Sequence, residues 1–228
     1  MRGRYAQQKT YCTMSWLKGG PFLEVSFLVV LETVDKQSFV DNLFNRLKSF
    51  TPTIELAICE NDMQEKLSEF YTGYPDDEAD PDSKVYHQAQ IPLYVDIDGK
   101  RKSILSLRQI SHKLIVVDFW FYGAESDARK WDQKGIAQGQ VHLFKDMLHR
   151  LYDTFHFAIG TVGYENSVTD IFQTSETWPH ESYSLDNIDT NSVQVDDYFI
   201  AIVANINSVQ LQGVKGIKVT GNKMVLEV

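Results

Sequence analysis

The sequence predicts an α+β protein with one or more mostly antiparallel sheets and two main amphipathic helices. Two stretches, residues 39–47 and 138–155, carry apolar side chains at the spacing of one helical face. Short runs rich in Val, Ile, Phe and Tyr surround these helices, and turn residues separate the runs as they do in β-sheets. The pair Asp98-Gly99 tolerates the positive φ angles of a tight hairpin turn, which indicates antiparallel pairing of its neighbours.

The first half of the chain opens with a strand predicted at residues 23–33. Its almost continuous apolar run is typical of a strand that is covered on both faces. Asp35 has the side chain of a helix N-cap, so a helix is expected to begin there and to end before Thr51-Pro52. The other elements predicted in this half are a strand at 53–59, a helix at 62–71 and hairpin strands at 91–98 and 103–107.

The second half follows a similar order. A strand rich in aromatic and β-branched residues is predicted at 113–122, and the most regular helical stripe of the sequence follows at 138–155. A stretch rich in Ser, Thr, Asn and Asp runs from residue 165 to residue 196. The remaining strands are predicted at 157–164, 198–204, 217–220 and 224–228.

This shared order suggests two β-α-β-linker-β-β halves, residues 23–110 and 111–228, packed together behind an N-terminal segment, residues 1–22. At about 150 residues per domain, a chain of 228 residues allows two small domains or one continuous domain. The alternative to two packed halves is one continuous antiparallel sheet with both helices on one face. The sequence shows no residue-level repeat, so duplication is a hypothesis about the layout alone.

The charge of the chain argues against one class of partner. Its formal net charge is −9, and nucleic-acid binding needs a basic surface that displaces counterions from phosphates. The nearest basic cluster, Lys100 to Lys102, is predicted to solvate a hairpin end. The longest apolar run, Phe27 to Leu31, is too short to span a membrane, and no signal peptide follows Arg2 and Arg4. We therefore expect a soluble protein of the cytoplasm that binds neither nucleic acid nor membrane.

Familiar catalytic and metal-binding motifs are missing from the sequence. It contains no P-loop, GxSxG, HExxH or GxGxxG pattern. The segment Asp96 to Gly99 resembles the start of a calcium loop but lacks the later glycine and glutamate. Cys12 and Cys59 form no CxxC motif and are predicted to be buried. We therefore expect no cofactor and no metal site. An enzyme would draw its catalytic groups from sets such as Asp118, His142 and Glu165, or Ser182 and His180.

The two long polar linkers are the most informative feature for function, because loops of more than about 15 residues are usually functional or disordered. Residues 73–82 hold five carboxylates and two prolines, which predicts an exposed acidic loop. Trp131 and Trp178 lie in polar surroundings, where a tryptophan either caps the core or anchors a partner.

The leading hypothesis is a non-catalytic binding protein that recognises a basic protein partner. In its concrete form it is an inhibitor or immunity protein of bacterial type that blocks a basic enzyme. Two alternatives stay open: an enzyme of unrecognised class with a pocket between the halves, and a structural or oligomerising domain such as a homodimer. The candidate partner-binding residues are Asp76, Asp77, Glu78, Asp80, Trp131 and Trp178.

Overall fold

The computed structural model describes residues 16–31, 35–125, 128–189, 191–193, 199–211 and 214–227. It confirms the α+β class: the described part of the chain contains three α-helices, a nine-stranded antiparallel sheet and a two-stranded hairpin. The helices are α1 (Lys36–Leu47), α2 (Glu60–Thr72) and α3 (Val141–Phe155). The strands are β1 (Phe22–Val30), β2 (Ile54–Leu56), β3 (Tyr74–Pro75), β4 (Val85–Tyr86), β5 (Gln88–Asp96), β6 (Lys100–Gln109), β7 (Leu114–Tyr122), β8 (Ile159–Tyr164), β9 (Phe199–Asn205), β10 (Lys218–Thr220) and β11 (Lys223–Glu227).

The large sheet has β1 at its centre, in the order β10-β11-β9-β8-β1-β7-β6-β5-β2. β1 pairs antiparallel with β7 on one side and with β8 on the other. Its two faces contribute to two different core clusters, which explains why its sequence is apolar almost throughout. Strands from both predicted halves share this sheet, since β7 lies between β1 and β6. The structure therefore has the continuous-sheet arrangement, with α1 and α3 on one face. The proposed domain boundaries stay a prediction.

The helices cover one face of the sheet, and the larger of the two clusters of buried apolar side chains lies between them and the strands. α1 begins where predicted, because the Asp35 carboxylate accepts a hydrogen bond from the Ser38 N–H at 2.9 Å. None of the described helices combines the length and the apolar character that crossing a bilayer requires. Core side chains on this face include Phe27, Leu43, Leu105, Phe119, Phe144 and Leu148.

The opposite face of the sheet, called here the helix-free face, is covered by residues 165–189, called here the covering segment. This segment is described throughout and contains two short 3₁₀ helices, Val168–Ile171 and Leu185–Asn187. Its few apolar side chains are buried or partly buried against the sheet. This segment therefore packs on the core although most of its residues are polar. The side chains in this contact include Val168, Ile171, Phe172 and Tyr183 of the segment and Leu28 and Ile202 of the sheet.

Two predictions about single side chains are wrong. Arg101 is 1% exposed, because alternation along β6 points it towards the helices while Lys100 and Lys102 point the other way. Cys59 is exposed, because it occupies the N-cap position of α2, outside the buried stripe of that helix. Cys12 lies outside the described residues.

The hairpin between β5 and β6 turns at the predicted place. Asp98 and Gly99 have φ angles of 48° and 88°, and Asp96 pairs with Lys100 across the turn. Positive φ angles at both positions explain why an aspartate and a glycine stand there.

Candidate functional site

The predicted acidic loop is the tip of a small hairpin. β3 and β4 pair antiparallel, with Tyr74 opposite Tyr86, and residues 76–84 join them. The loop is shaped by its own side chains: the Asp77 carboxylate accepts from the Ala79 N–H at 2.8 Å, and the Asp80 carboxylate accepts from the Asp82 N–H at 2.9 Å. Residues 76–83 are called here the acidic loop.

The carboxylates of this loop face solvent. Asp76, Asp77, Glu78 and Asp80 are all exposed. Among the described residues, no lysine or arginine forms an ion pair with any of the four. Their charges are therefore free to act on another molecule.

The hairpin that carries the acidic loop is fastened to the covering segment. The Lys84 ammonium donates to the Thr177 carbonyl oxygen at 2.8 Å and lies 2.9 Å from its hydroxyl. Next to this contact, the rings of Tyr86 and Trp178 meet edge to face, with centroids 4.9 Å apart. The structure thus brings together two of the predicted features, the acidic loop and Trp178, which are far apart in the sequence.

Trp178 is half-buried between the sheet and the hairpin. The Arg108 guanidinium lies 5.6 Å from the centroid of its ring, a cation–π contact. On the other side, the His180 N–H donates to the Ile110 carbonyl oxygen at 2.9 Å, and the Glu181 carboxylate accepts from the His112 N–H at 3.0 Å. Residues 176–181, called here the strap, are thus held from both sides.

A cleft of about 440 Å³ opens beside the strap. On its wall, the His87 Nδ1 atom lies 2.9 Å from the Lys36 ammonium and 3.1 Å from the Phe70 carbonyl oxygen. Burial, followed by the charge of Lys36, lowers the pKa of His87, so this imidazole is neutral at neutral pH. The cleft is lined by His87, Gln109, Ser111, His112, Pro179, His180 and Glu181.

Trp131 lies elsewhere. It is 42% exposed on a 3₁₀ helix, Ala128–Trp131, with the Lys18 ammonium 5.6 Å from its ring. The next residue, Asp132, pairs with Lys102 near the start of β6, whereas Trp178 covers Arg108 near the end of that strand. Six residues of a strand span about 20 Å. The structure therefore does not bring Trp131 together with the acidic loop, and its role stays a prediction.

The residues considered for catalysis are dispersed. Asp118 is fully buried on the helix-free face, where it accepts from Ser26 at 2.5 Å and pairs with Arg108 at 2.9 Å. His142 is exposed on α3, on the other side of the sheet, with its Nδ1 atom 2.8 Å from the Gly139 carbonyl oxygen.

Glu165, and the pair Ser182 and His180, do not form a common site with Asp118 and His142. Glu165 is exposed and accepts from the Phe22 N–H. Ser182 and His180 do touch, but the His180 Nδ1 atom lies near both the hydroxyl and the N–H of Ser182, at 2.8 and 3.1 Å. That pattern is a local turn.

Sequence reasoning missed Glu24 and Arg108, two charged residues on sheet strands. Glu24 lies on β1 beside Trp120, on the face that also carries Asp118. Burial, followed by the charge of Asp118, raises the pKa of Glu24 to about 8. A glutamate inside a predominantly apolar strand is the sequence signal that could have identified this position.

The described residues contain no group of three or more His, Cys, Asp or Glu side chains arranged to hold a metal ion. Comparison of the chain with protein-family models, with curated proteins and with solved structures found no match. The features that remain to indicate a function are the acidic loop, the strap and the cleft beside it.

Proposed function

We propose that this protein is a non-catalytic binding protein, and that the acidic loop and the strap form its surface for a basic protein partner. The observation that carries the proposal is their junction: Lys84 and Tyr86 of the hairpin contact Thr177 and Trp178 of the strap. The hairpin that carries the carboxylates is thereby joined to the strap that carries Trp178.

The charges of this surface suit a basic partner. Four exposed carboxylates, which have no ion-pair partner in the part of the chain that the structure describes, stand on a protein whose formal net charge is −9. Complementary charge accelerates encounter and fixes orientation, with smaller effects on the lifetime of the complex. The partner is therefore expected to present a lysine-rich or arginine-rich surface, and the complex should weaken as salt is added.

The half-buried Trp178 supplies apolar contact area, which the carboxylates lack. Tryptophan, tyrosine and arginine provide most of the residues whose loss costs an interface 2 kcal/mol or more, as a rough guide. Because Tyr86 and Arg108 already fix the Trp178 ring, little side-chain freedom is lost when a partner covers it. The surface is thus pre-organised.

In its concrete form, the proposal is an inhibitor or immunity protein of bacterial type that acts in the cytoplasm and covers the active site of a basic enzyme. Its support is the combination of a strongly acidic chain with a stiff acidic hairpin. The partner would be captured through its basic surface, with no bond made or broken.

Two variants with the same charge change test the proposal. The loop variant carries Asp76→Asn, Glu78→Gln and Asp80→Asn. Asp77 stays in place, and an asparagine at position 80 keeps a side-chain oxygen that can accept from the Asp82 N–H, so both turns of the loop are retained. The control variant removes three exposed carboxylates elsewhere, through Asp96→Asn, Glu125→Gln and Asp146→Asn.

Each purified protein is immobilised and used to capture binding proteins from an extract of its native cells at low salt. We expect one basic protein to be retained by the wild type and by the control variant, and to be lost from the loop variant. Equal retention by all three proteins, or no specific capture by the wild type, contradicts the proposal.

A further inference from the structure

The helix-free face carries a row of polar side chains across four neighbouring strands. Residues directly opposite each other in an antiparallel sheet share a face. Glu24 lies on the same face of β1, two residues before the β1 member of this row, and is opposite Trp120 on one neighbouring strand and Gly163 on the other. The row itself consists of Ser106, Asp118, Ser26 and Thr161.

The charges around Glu24 are unbalanced. Among the described groups that act on it, Asp118, Asp170 and Glu165 are acidic and Arg108 is the one cation. Arg108 is committed to Asp118, to which its Nε and Nη2 atoms donate at 3.1 and 2.9 Å. Glu24 is partly buried, and a carboxyl group that is partly shielded from water, next to carboxylates and without its own cation, holds its proton more tightly. The raised pKa of Glu24, about 8, agrees with this geometry.

The same place is where the covering segment is attached to the sheet. The Val168 N–H donates to the Ser26 hydroxyl at 3.1 Å, and the Arg108 Nη2 atom donates to the Ser167 hydroxyl at 3.2 Å. Glu165 accepts from the N–H of Phe22, two residues before Glu24. A new negative charge on Glu24 would therefore arise two residues from Phe22 and two residues from Ser26 on the same face of β1, and it would act on Asp170 and Glu165 of the segment.

We propose that the proton on Glu24 is a switch for the covering segment. While the proton is bound, the start of the segment stays attached to the helix-free face. When it leaves, Glu24 repels Asp118, Asp170 and Glu165 and attracts Arg108 away from Asp118 and Ser167, and the attachments of the segment weaken. Because the segment continues into the strap, the pH then sets how well the partner-binding surface is ordered. The effect on partner binding rests on the proposed function, whereas the attachment of the segment does not.

Amide hydrogen exchange of the unbound protein tests the switch. Protection of the amides at 168–183, corrected for intrinsic exchange rates, is compared at pH about 6 and about 9. We expect the wild type to lose tenfold or more of this protection at the higher pH, roughly one pKa unit of coupling. Glu24→Gln should show no such loss, and the amides of α3 should change in neither protein.

An exposed glutamate provides the matched control. Glu69→Gln makes the same substitution on α2, far from the helix-free face, and should keep the wild-type response to pH. The proposal is overturned if Glu24→Gln loses protection as the wild type does, or if the wild type shows no loss.

A second measurement needs no variant. The carboxyl carbon of Glu24, followed by nuclear magnetic resonance in the wild type, should titrate with a midpoint well above that of an ordinary glutamate. A midpoint at the ordinary value, about 4.3, overturns the switch even if Glu24→Gln fails to fold. Neither experiment uses the partner, so a failure of the switch and a failure of the proposed function are distinguishable.

Discussion

Replacing the buried Arg101 by methionine should cost this protein several kcal/mol of stability. The guanidinium donates to four acceptors: the carbonyl oxygens of Ile97, Lys134 and Gly135, at 2.9, 3.1 and 2.8 Å, and the side-chain oxygen of Gln140, at 3.0 Å. It thereby fastens the β5–β6 turn to the segment that leads into α3.

The magnitude follows from what the substitution leaves behind. Burial lowers the pKa of Arg101 but leaves it charged at neutral pH, because a guanidinium titrates far above 7. Each hydrogen bond from a charged donor contributes about 1.5–3 kcal/mol, and an unsatisfied buried acceptor costs about 1–3 kcal/mol. Water will reach some of the four acceptors, so we expect a loss of roughly 3–5 kcal/mol rather than the full sum. At 2–4 °C per kcal/mol for a chain of this size, the melting temperature should fall by about 6–20 °C.

The assay is thermal unfolding together with urea unfolding of Arg101→Met and of Lys100→Met. Lys100 is the neighbouring residue on β6, and its ion pair with Glu55 leaves more than half of each side chain exposed, at 54% and 58%. The Lys100 variant should therefore lose far less stability than the Arg101 variant, because an exposed ion pair contributes little. Equal losses in the two variants would refute the claim that the buried Arg101 guanidinium stabilises this end of the sheet through its hydrogen bonds.

Three further predictions concern the helix-free face and the binding surface. The free energy of unfolding should fall by roughly 2–4 kcal/mol as pH rises from about 5 to about 8, because Glu24 binds a proton more tightly in the folded state, and Glu24→Gln should flatten this slope in urea titrations. Trp178→Ala should lower stability by about 1–3 kcal/mol, less than a fully buried tryptophan, and should weaken partner binding more than Tyr86→Phe does, by calorimetry. Gly73→Ala should cost about 2 kcal/mol or more in thermal unfolding, because Gly73 has a φ of 75° and its new Cβ would lie 2.6 Å from the His87 side chain.

Much of the fold could be predicted from local patterns. The helical stripes gave α1 and α3, the Asp35 cap gave the start of α1, and Asp98-Gly99 gave the main hairpin turn. These features depend on neighbouring residues, whose chemistry acts wherever the chain goes.

The binding surface depends on contacts that local patterns do not carry. Lys84 and Thr177, which join the hairpin to the strap, are 93 residues apart. Their contact arises because the covering segment, which connects β8 and β9 on one side of β1, crosses the helix-free face and reaches the end of β6 on the other side. For the same reason, Arg101 resembles its exposed lysine neighbours in the sequence, and its burial follows from the segment that packs over it.

The central claim is that the acidic loop and the strap bind a basic partner, and the affinity of the captured partner as a function of salt tests it most directly. Surface plasmon resonance at about 0.1 M and about 1 M salt compares the wild type, the loop variant and the control variant. We predict that the loop variant binds about tenfold or more weakly at low salt and depends less on salt, while the control variant follows the wild type. Identical affinities and identical salt dependence in all three proteins would contradict the account.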